Sequence, residues 1–194
     1  MRFSVATVFA LAGLSVAGPV GQVNKRADAV SLLTDLYATV QVYTGAINAT
    51  LATLSPSSSL LEKTAAVPEV GASLNSITKA IADTTSSINA LAAENPSAAV
   101  EKRSIDTVEH VVEKRQVDTV TVLLTLIIIE IFATIAGAIA IFGLAALLIY
   151  INPLTGALAA LILAVQLLLN VVLAAVTLLL NTLLAGLALT IGGL

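Results

Sequence analysis

Residues 120–151 read VTVLLTLIIIEIFATIAGAIAIFGLAALLIYI, with one charge, Glu130, in the whole stretch. After Lys114-Arg115 the chain has no Lys, Arg or His, and Asp118 and Glu130 are its only charges. As one helix, Val120 to Ile151 would be about 48 Å long at 1.5 Å per residue, more than the roughly 30 Å hydrocarbon core of a bilayer. Its charge-free part, Ile131–Ile151, is the best spanning candidate, because each Ile, Leu and Phe favours insertion by about 0.3–0.6 kcal/mol. Asn152-Pro153, followed by Thr155 and Gly156, is a turn signal, after which Leu154 to Leu194 runs apolar again. The expectation is a helical hairpin turning around Asn152-Pro153.

The return arm holds a repeat. AVQLLLNVVL from Ala164 and AVTLLLNTLL from Ala175 are 11 residues apart. A period of 11 is close to that of a straight helix, so Thr155, Gln166, Asn170, Thr177 and Asn181 should share a sector of about 80°. Thr119, Glu130 and Thr134 align similarly on the first arm. These stripes could join helices inside a membrane, face water at an interface, or join copies of the chain. Glu130 is expected near the wet end of its arm unless that arm inserts deeply, where an acid would be a functional candidate. The arm lacks Lys/Arg anchors after Arg115, and the chain has no Trp for an aromatic belt, which weakens a spanning reading.

Upstream the composition changes. Val30, Leu33, Tyr37, Val40, Ile47, Leu51 and Leu54, with Thr44 in the gap, alternate by three and four, which places them on one helical stripe. Asp28 suits the N-cap, and Ser55-Pro56-Ser57 ends the segment. A second stripe, Val70, Leu74, Ile77, Ile81, Ile88 and Leu91, has Thr84 in its gap and closes at Asn95-Pro96. A linker carrying Leu60-Leu61 and Val67-Pro68 should join them as an antiparallel pair. Two helices make a thin core. Each buried Leu or Ile stabilises by roughly 1.5–3 kcal/mol against an ordering cost of about 1.5 kcal/mol per residue. The pair therefore wants a third surface: Leu60-Leu61, a second molecule, or the apolar half. The fold class is all-α, a polar helical hairpin or small bundle followed by long apolar helices.

Residues 1–17 have the order of a secretory signal peptide, with Arg2, an apolar run and small residues up to a cut after Ala17. Lys25-Arg26, Lys102-Arg103 and Lys114-Arg115 hold six of the nine basic residues and resemble sites for the kexin-type protease of the fungal secretory route. Two of the pairs sit in a repeat of period 12: EKRSIDTVEHVV from Glu101 runs directly into EKRQVDTVTVLL from Glu113. The alternative is a solvated charged helix with a chance duplication. The expected organisation is a signal peptide at 1–17, a propeptide at 18–26, a polar helical segment at 27–98, a processing linker at 99–119 and an apolar segment at 120–194. Asn48-Ala49-Thr50 is an N-glycosylation acceptor pattern.

Several functions are not expected. A net charge of −3 argues against a nucleic-acid partner. With no Cys and a single His, His110, neither a disulfide framework nor a zinc site is expected. No phosphate-binding Gly loop and no Gly-x-Ser-x-Gly elbow occurs, so the expectation is no enzyme and no cofactor. The carboxylates Glu109 and Glu113 beside His110 read as a solvated helix face.

The signal peptide, the Lys-Arg pair before Ala27, the Ser/Thr/Ala-rich helical half and a Leu-rich half ending LAGLALTIGGL together resemble small secreted fungal structural proteins. These have a hydrophilic N-terminal and a hydrophobic C-terminal half. The stretch Ala27–Val100 is also similar to fungal hydrophobic-surface-binding proteins. The resemblance implies a surface-active protein of the cell wall or extracellular matrix, with hydrophobic surfaces or lipid interfaces and further copies of itself as partners. An integral membrane hairpin and a precursor releasing a peptide that begins at Ser104 are the rival readings.

Overall fold

The computed structural model describes residues 20–93, 107–169 and 174–192, with side chains described over 28–93, 117–169 and 176–186. The described residues form five helices and no strand: α1 (Val20–Ala52), α2 (Leu60–Ala93), α3 (Thr107–Phe142), α4 (Leu144–Leu169) and α5 (Ala174–Gly192). The all-α class is as expected, with the long apolar helices in the second half.

Helices α1 and α2 carry the two stripes read from the sequence. Leu33, Val40, Thr44 and Ile47 on α1 and Val70, Leu74, Ile77, Ile81 and Ile88 on α2 are buried. Val30, Tyr37, Leu51, Leu54, Thr84 and Leu91 are half-buried along the edges. Asp28, Ser31 and Leu32 face Ser87, Ala90 and Leu91, while Thr39 and Tyr43 face Ser76, Ala80 and Asp83. That descending register makes the pair antiparallel.

The connection between them is shorter than expected, because α2 starts at Leu60. Ser59 and Glu62 form a capping box there. The Ser59 N–H and hydroxyl both donate to Glu62 Oε2 at 2.8 Å, and the Glu62 N–H donates to Ser59 Oγ at 3.3 Å. These bonds to the Ser59 hydroxyl and backbone hold the exposed Glu62 carboxyl below its ordinary range. Pro68 then lies inside α2 and does not end it. It removes one backbone donor and is exposed. The helix α1 likewise begins at Val20, well before Asp28, which sits exposed in its interior. Leu60 and Leu61 are each 81% exposed and do not provide the third surface.

That surface is the apolar half. The main packing pairs are α1 with α2, α1 with α3 and α2 with α4. Val120, Leu124, Ile127, Ile128, Ile131 and Ile135 of α3, and Leu147, Ile151, Leu154, Leu158 and Leu161 of α4, join Leu33–Ile88 in one continuous core. Helix α3 runs parallel to α1, since Thr44 meets Glu130 and Leu51 lies beside Gly137. The polar hairpin and the apolar hairpin are therefore stacked as two layers, side by side along their lengths. Helix α5 leans on α3 and α4, burying Val176 and Leu180.

The turn between α3 and α4 is at Gly143, not at Asn152-Pro153. Gly143 has φ +79°, a left-handed conformation that only glycine adopts cheaply, and its N–H closes the last turn of α3 on Ile139 O at 2.9 Å. Asn152 and Pro153 are inside α4 on its exposed side, where the missing donor costs one hydrogen bond and the ring has room. The break at Gly143 splits the Ile131–Ile151 spanning candidate. Two other windows, Val117–Phe142 and Leu144–Leu169, are long and apolar enough to cross a bilayer by length and composition. Less than half of each window is buried inside the fold.

The return arm is also two helices. Gln166 Nε2 reaches Thr177 Oγ1 at 3.5 Å. Eleven residues of straight helix would separate them by about 16 Å, so α5 comes back beside α4. The single polar stripe expected from the 11-residue period is thereby divided. Thr155 and Gln166 are half-buried on α4, Thr177 and Asn181 are exposed on α5, and Asn170 lies outside the described residues.

Candidate functional site

The stacking gives the molecule two unlike outer faces. On α3 the residues turned away from the core are Val122, Leu126, Ile129, Ala133, Ala136 and Ala140, spaced by four and three along one line. On α4 the equivalent line is Ile149, Pro153, Gly156, Ala160, Leu163 and Leu167. Ile149 is 74% exposed, Leu167 66%, and Leu178 on α5 68%. None of these positions carries a charge; the one exposed charge that continues the α3 line is Asp118, one turn before Val122. The α1/α2 layer presents Asp35, Gln41, Asn48, Glu69, Asn75, Lys79, Asp83 and Ser86 to the outside. Lys79 Nζ bonds Asp83 Oδ2 at 2.7 Å, and that hydrogen bond, with the charge of Asp83, raises the Lys79 pKa.

One polar cluster lies between the layers. The Thr44 hydroxyl, 1% exposed, is 2.8 Å from Glu130 Oε1 and 3.3 Å from Gln41 O. The buried Thr134 hydroxyl donates to Glu130 O at 2.9 Å. Glu130 is thus half-buried in the α1–α3 seam, some two-thirds along α3, and not at the wet end of an arm. The gap at Thr44 in the α1 stripe and the lone acid on α3 are two halves of one contact. The sequence shows both irregularities but not that they meet.

Replacing Thr44 by Val should leave the Glu130 carboxylate without its side-chain partner and cost about 1–3 kcal/mol. Adding Glu130→Leu should recover most of that loss, since removing both polar partners together is close to neutral. Urea unfolding of the two variants checks this. An equal loss in both would show that the hydroxyl–carboxylate bond is not what Thr44 supplies.

Among the described residues no group of three His, Cys, Asp or Glu side chains could hold a metal ion. A surface depression of about 410 Å³ lies between the start of α1 and the end of α2, lined by Asp28, Ser31, Leu32, Ser87, Ala90 and Leu91. Its one carboxylate has no base or cation beside it in that lining.

The sequence-predicted processing residues are scattered. Lys25 and Arg26 are on the backbone of α1, and Lys114 and Arg115 on that of α3, while Ala17, Lys102 and Arg103 lie outside the described residues. His110, Glu109 and Glu113 fall on the first turns of α3. Asn48 is exposed on α1, one position past the buried Ile47. No family model, curated protein or solved structure matches this chain.

Proposed function

We propose that this chain is a secreted, surface-active structural protein that lies flat at a boundary between water and an apolar phase. The outer faces of α3, α4 and α5 adsorb, and the α1/α2 layer stays wetted. The observation that carries this reading is the side-by-side stacking of a charged hairpin on one whose outer lines from Val122 on α3 and Ile149 on α4 hold no charge, which makes the amphiphile face to face along those helices. Contiguous exposed apolar area of this kind marks an interaction surface. Each exposed Leu or Ile that leaves water contributes up to roughly 1.5–3 kcal/mol, so Val122, Leu126, Ile129, Ile149, Leu163 and Leu167 together supply on the order of 10 kcal/mol. The cell wall or extracellular matrix, as the address, follows from the signal-like residues 1–17 and the resemblance to small secreted fungal proteins.

The integral membrane reading is disfavoured by the same packing. A bundle crossing the bilayer intact would hold Asp35, Glu69, Lys79 and Asp83 against lipid, each costing a few kcal/mol. Purified mature protein should lower the surface tension of water and leave a rinse-resistant coat on polystyrene or wax. Membranes bearing it should release it into alkaline carbonate. Unchanged surface tension together with a bare plastic surface would end the proposal, and retention in the carbonate pellet would favour the spanning hairpin.

A further inference from the structure

The paired basic residues stand in a particular relation to the core. Among the described residues the last core position on α2 is Ile88 and the first on α3 is Val120. Lys102-Arg103 and Lys114-Arg115 both fall between them in the sequence. Lys25-Arg26 precedes Ala29, the first buried side chain described on α1. The described core therefore occupies Ala29–Ile88 and Val120–Leu180, and no basic pair interrupts either block. A cut after Arg115 would separate the two blocks without dividing either.

The core itself does not respect that division. It is one continuous cluster in which α1 packs on α3 and α2 packs on α4. Thr44 holds Glu130 across the junction, and the Tyr150 ring of α4 sits against Gly71 of α2. Neither block buries its stripe without the other. Hydrophobic burial is indifferent to whether the chain joining the two blocks is intact.

We infer that proteolysis after Arg115 converts the folded protein into a two-chain complex, with the polar α1/α2 hairpin held to the apolar α3/α4/α5 unit by packing alone. The cut falls within the first three turns of α3, ahead of Val120, the first described core position of that helix. Helix ends open locally at far lower cost than the global fold. The hydrolysis adds one water across the Arg115–Gln116 peptide bond and leaves a carboxylate on Arg115 and an amine on Gln116. The occupant of the inner face of the apolar unit is then the protein's own N-terminal fragment, not a foreign partner. This does not rest on surface activity, which can fail while the complex holds.

The test treats the folded full chain, carrying Arg26→Ala and Arg103→Ala so that Lys114-Arg115 is the one remaining pair, with a protease specific for paired basic residues. A denaturing gel with mass analysis should show a product beginning at Gln116, absent from Arg115→Ala protein. Native size exclusion should return both fragments in one peak at a 1:1 ratio with the elution volume of the uncut chain. Because the cut makes unfolding bimolecular, the thermal midpoint should now rise with protein concentration, which it does not do before cutting. Fragments that separate on the column, or a folded chain that resists cutting after Arg115, would overturn the inference. Surface tension measured on the same samples tells a failure here from a failure of the interfacial function.

Discussion

A chain carrying Ile149→Lys, Leu163→Lys and Leu167→Lys should fold as the parent does and lose at least tenfold in coating of polystyrene or wax. All three positions lie on the outward line of α4, between 56% and 74% exposed, so none of them supports the core. Lys and Leu have similar helix propensity, which keeps the local cost small. At the interface the change is large. Three side chains that would each gain up to about 1.5–3 kcal/mol by leaving water are replaced by ammonium groups that resist desolvation. A tenfold loss corresponds to only about 1.4 kcal/mol, so the expected effect leaves ample margin. The control is Ala38→Lys, Ala72→Lys and Ala82→Lys on the exposed side of α1 and α2, with the same added charge. Coating that survives in the control and fails in the α4 variant assigns adsorption to the apolar layer. Equal loss in both would mean that net charge, not the face, controls adsorption.

How far the sequence could be read depended on which physical rule was local. The α1 and α2 stripes were legible because one-sided burial forces a three-and-four spacing, and Val70 through Ile88 show it with the half-buried Thr84 in the one gap. The apolar half hid its architecture for the opposite reason. In LIIIEIFATIAGAIAIFGLAALLIYI nearly every position is hydrophobic, so no periodicity separates the core line of Ile127, Ile131 and Ile135 from the outer line of Leu126 and Ile129. The hairpin turn was misplaced because Asn152-Pro153 carries a strong local turn signal while Gly143 sits in apolar surroundings like Gly137. Pro153 falls on the outer face of α4, where tertiary packing tolerates it, and that face is fixed by the docking of α4, mainly on α2. The Ser59-x-x-Glu62 capping box was a readable start signal, and it alone would have shortened the α1–α2 connection. The Thr44–Glu130 contact spans 86 residues, and nothing in either neighbourhood announces the other.

The stacking of α4 on α2 has one contact whose removal should be felt throughout the molecule. Gly71 is buried, and a Cβ placed there would lie 2.6 and 2.7 Å from two carbons of the Tyr150 ring. Only a bare backbone lets the ring approach that closely. Gly71→Val should therefore drive α4 away from α2 and lower stability by about 1–3 kcal/mol, or roughly 2–4 °C in Tm per kcal/mol for a chain of this size. Tyr150→Ala removes the ring and leaves room for the valine. In that background Gly71→Val should be neutral or stabilising, since valine has the better helix propensity by a few tenths of a kcal/mol. This reversal of sign is what thermal unfolding of the four proteins would measure, and equal destabilisation in both backgrounds would mean that the notch does not seat Tyr150. The single variant also bears on the interface. A loosened α4 exposes Leu147, Leu154 and Leu158, which the parent buries. Gly71→Val protein should then adsorb faster than the parent while unfolding at a lower temperature, because the layer that wets plastic and the layer that holds the bundle together are opposite sides of the same helices.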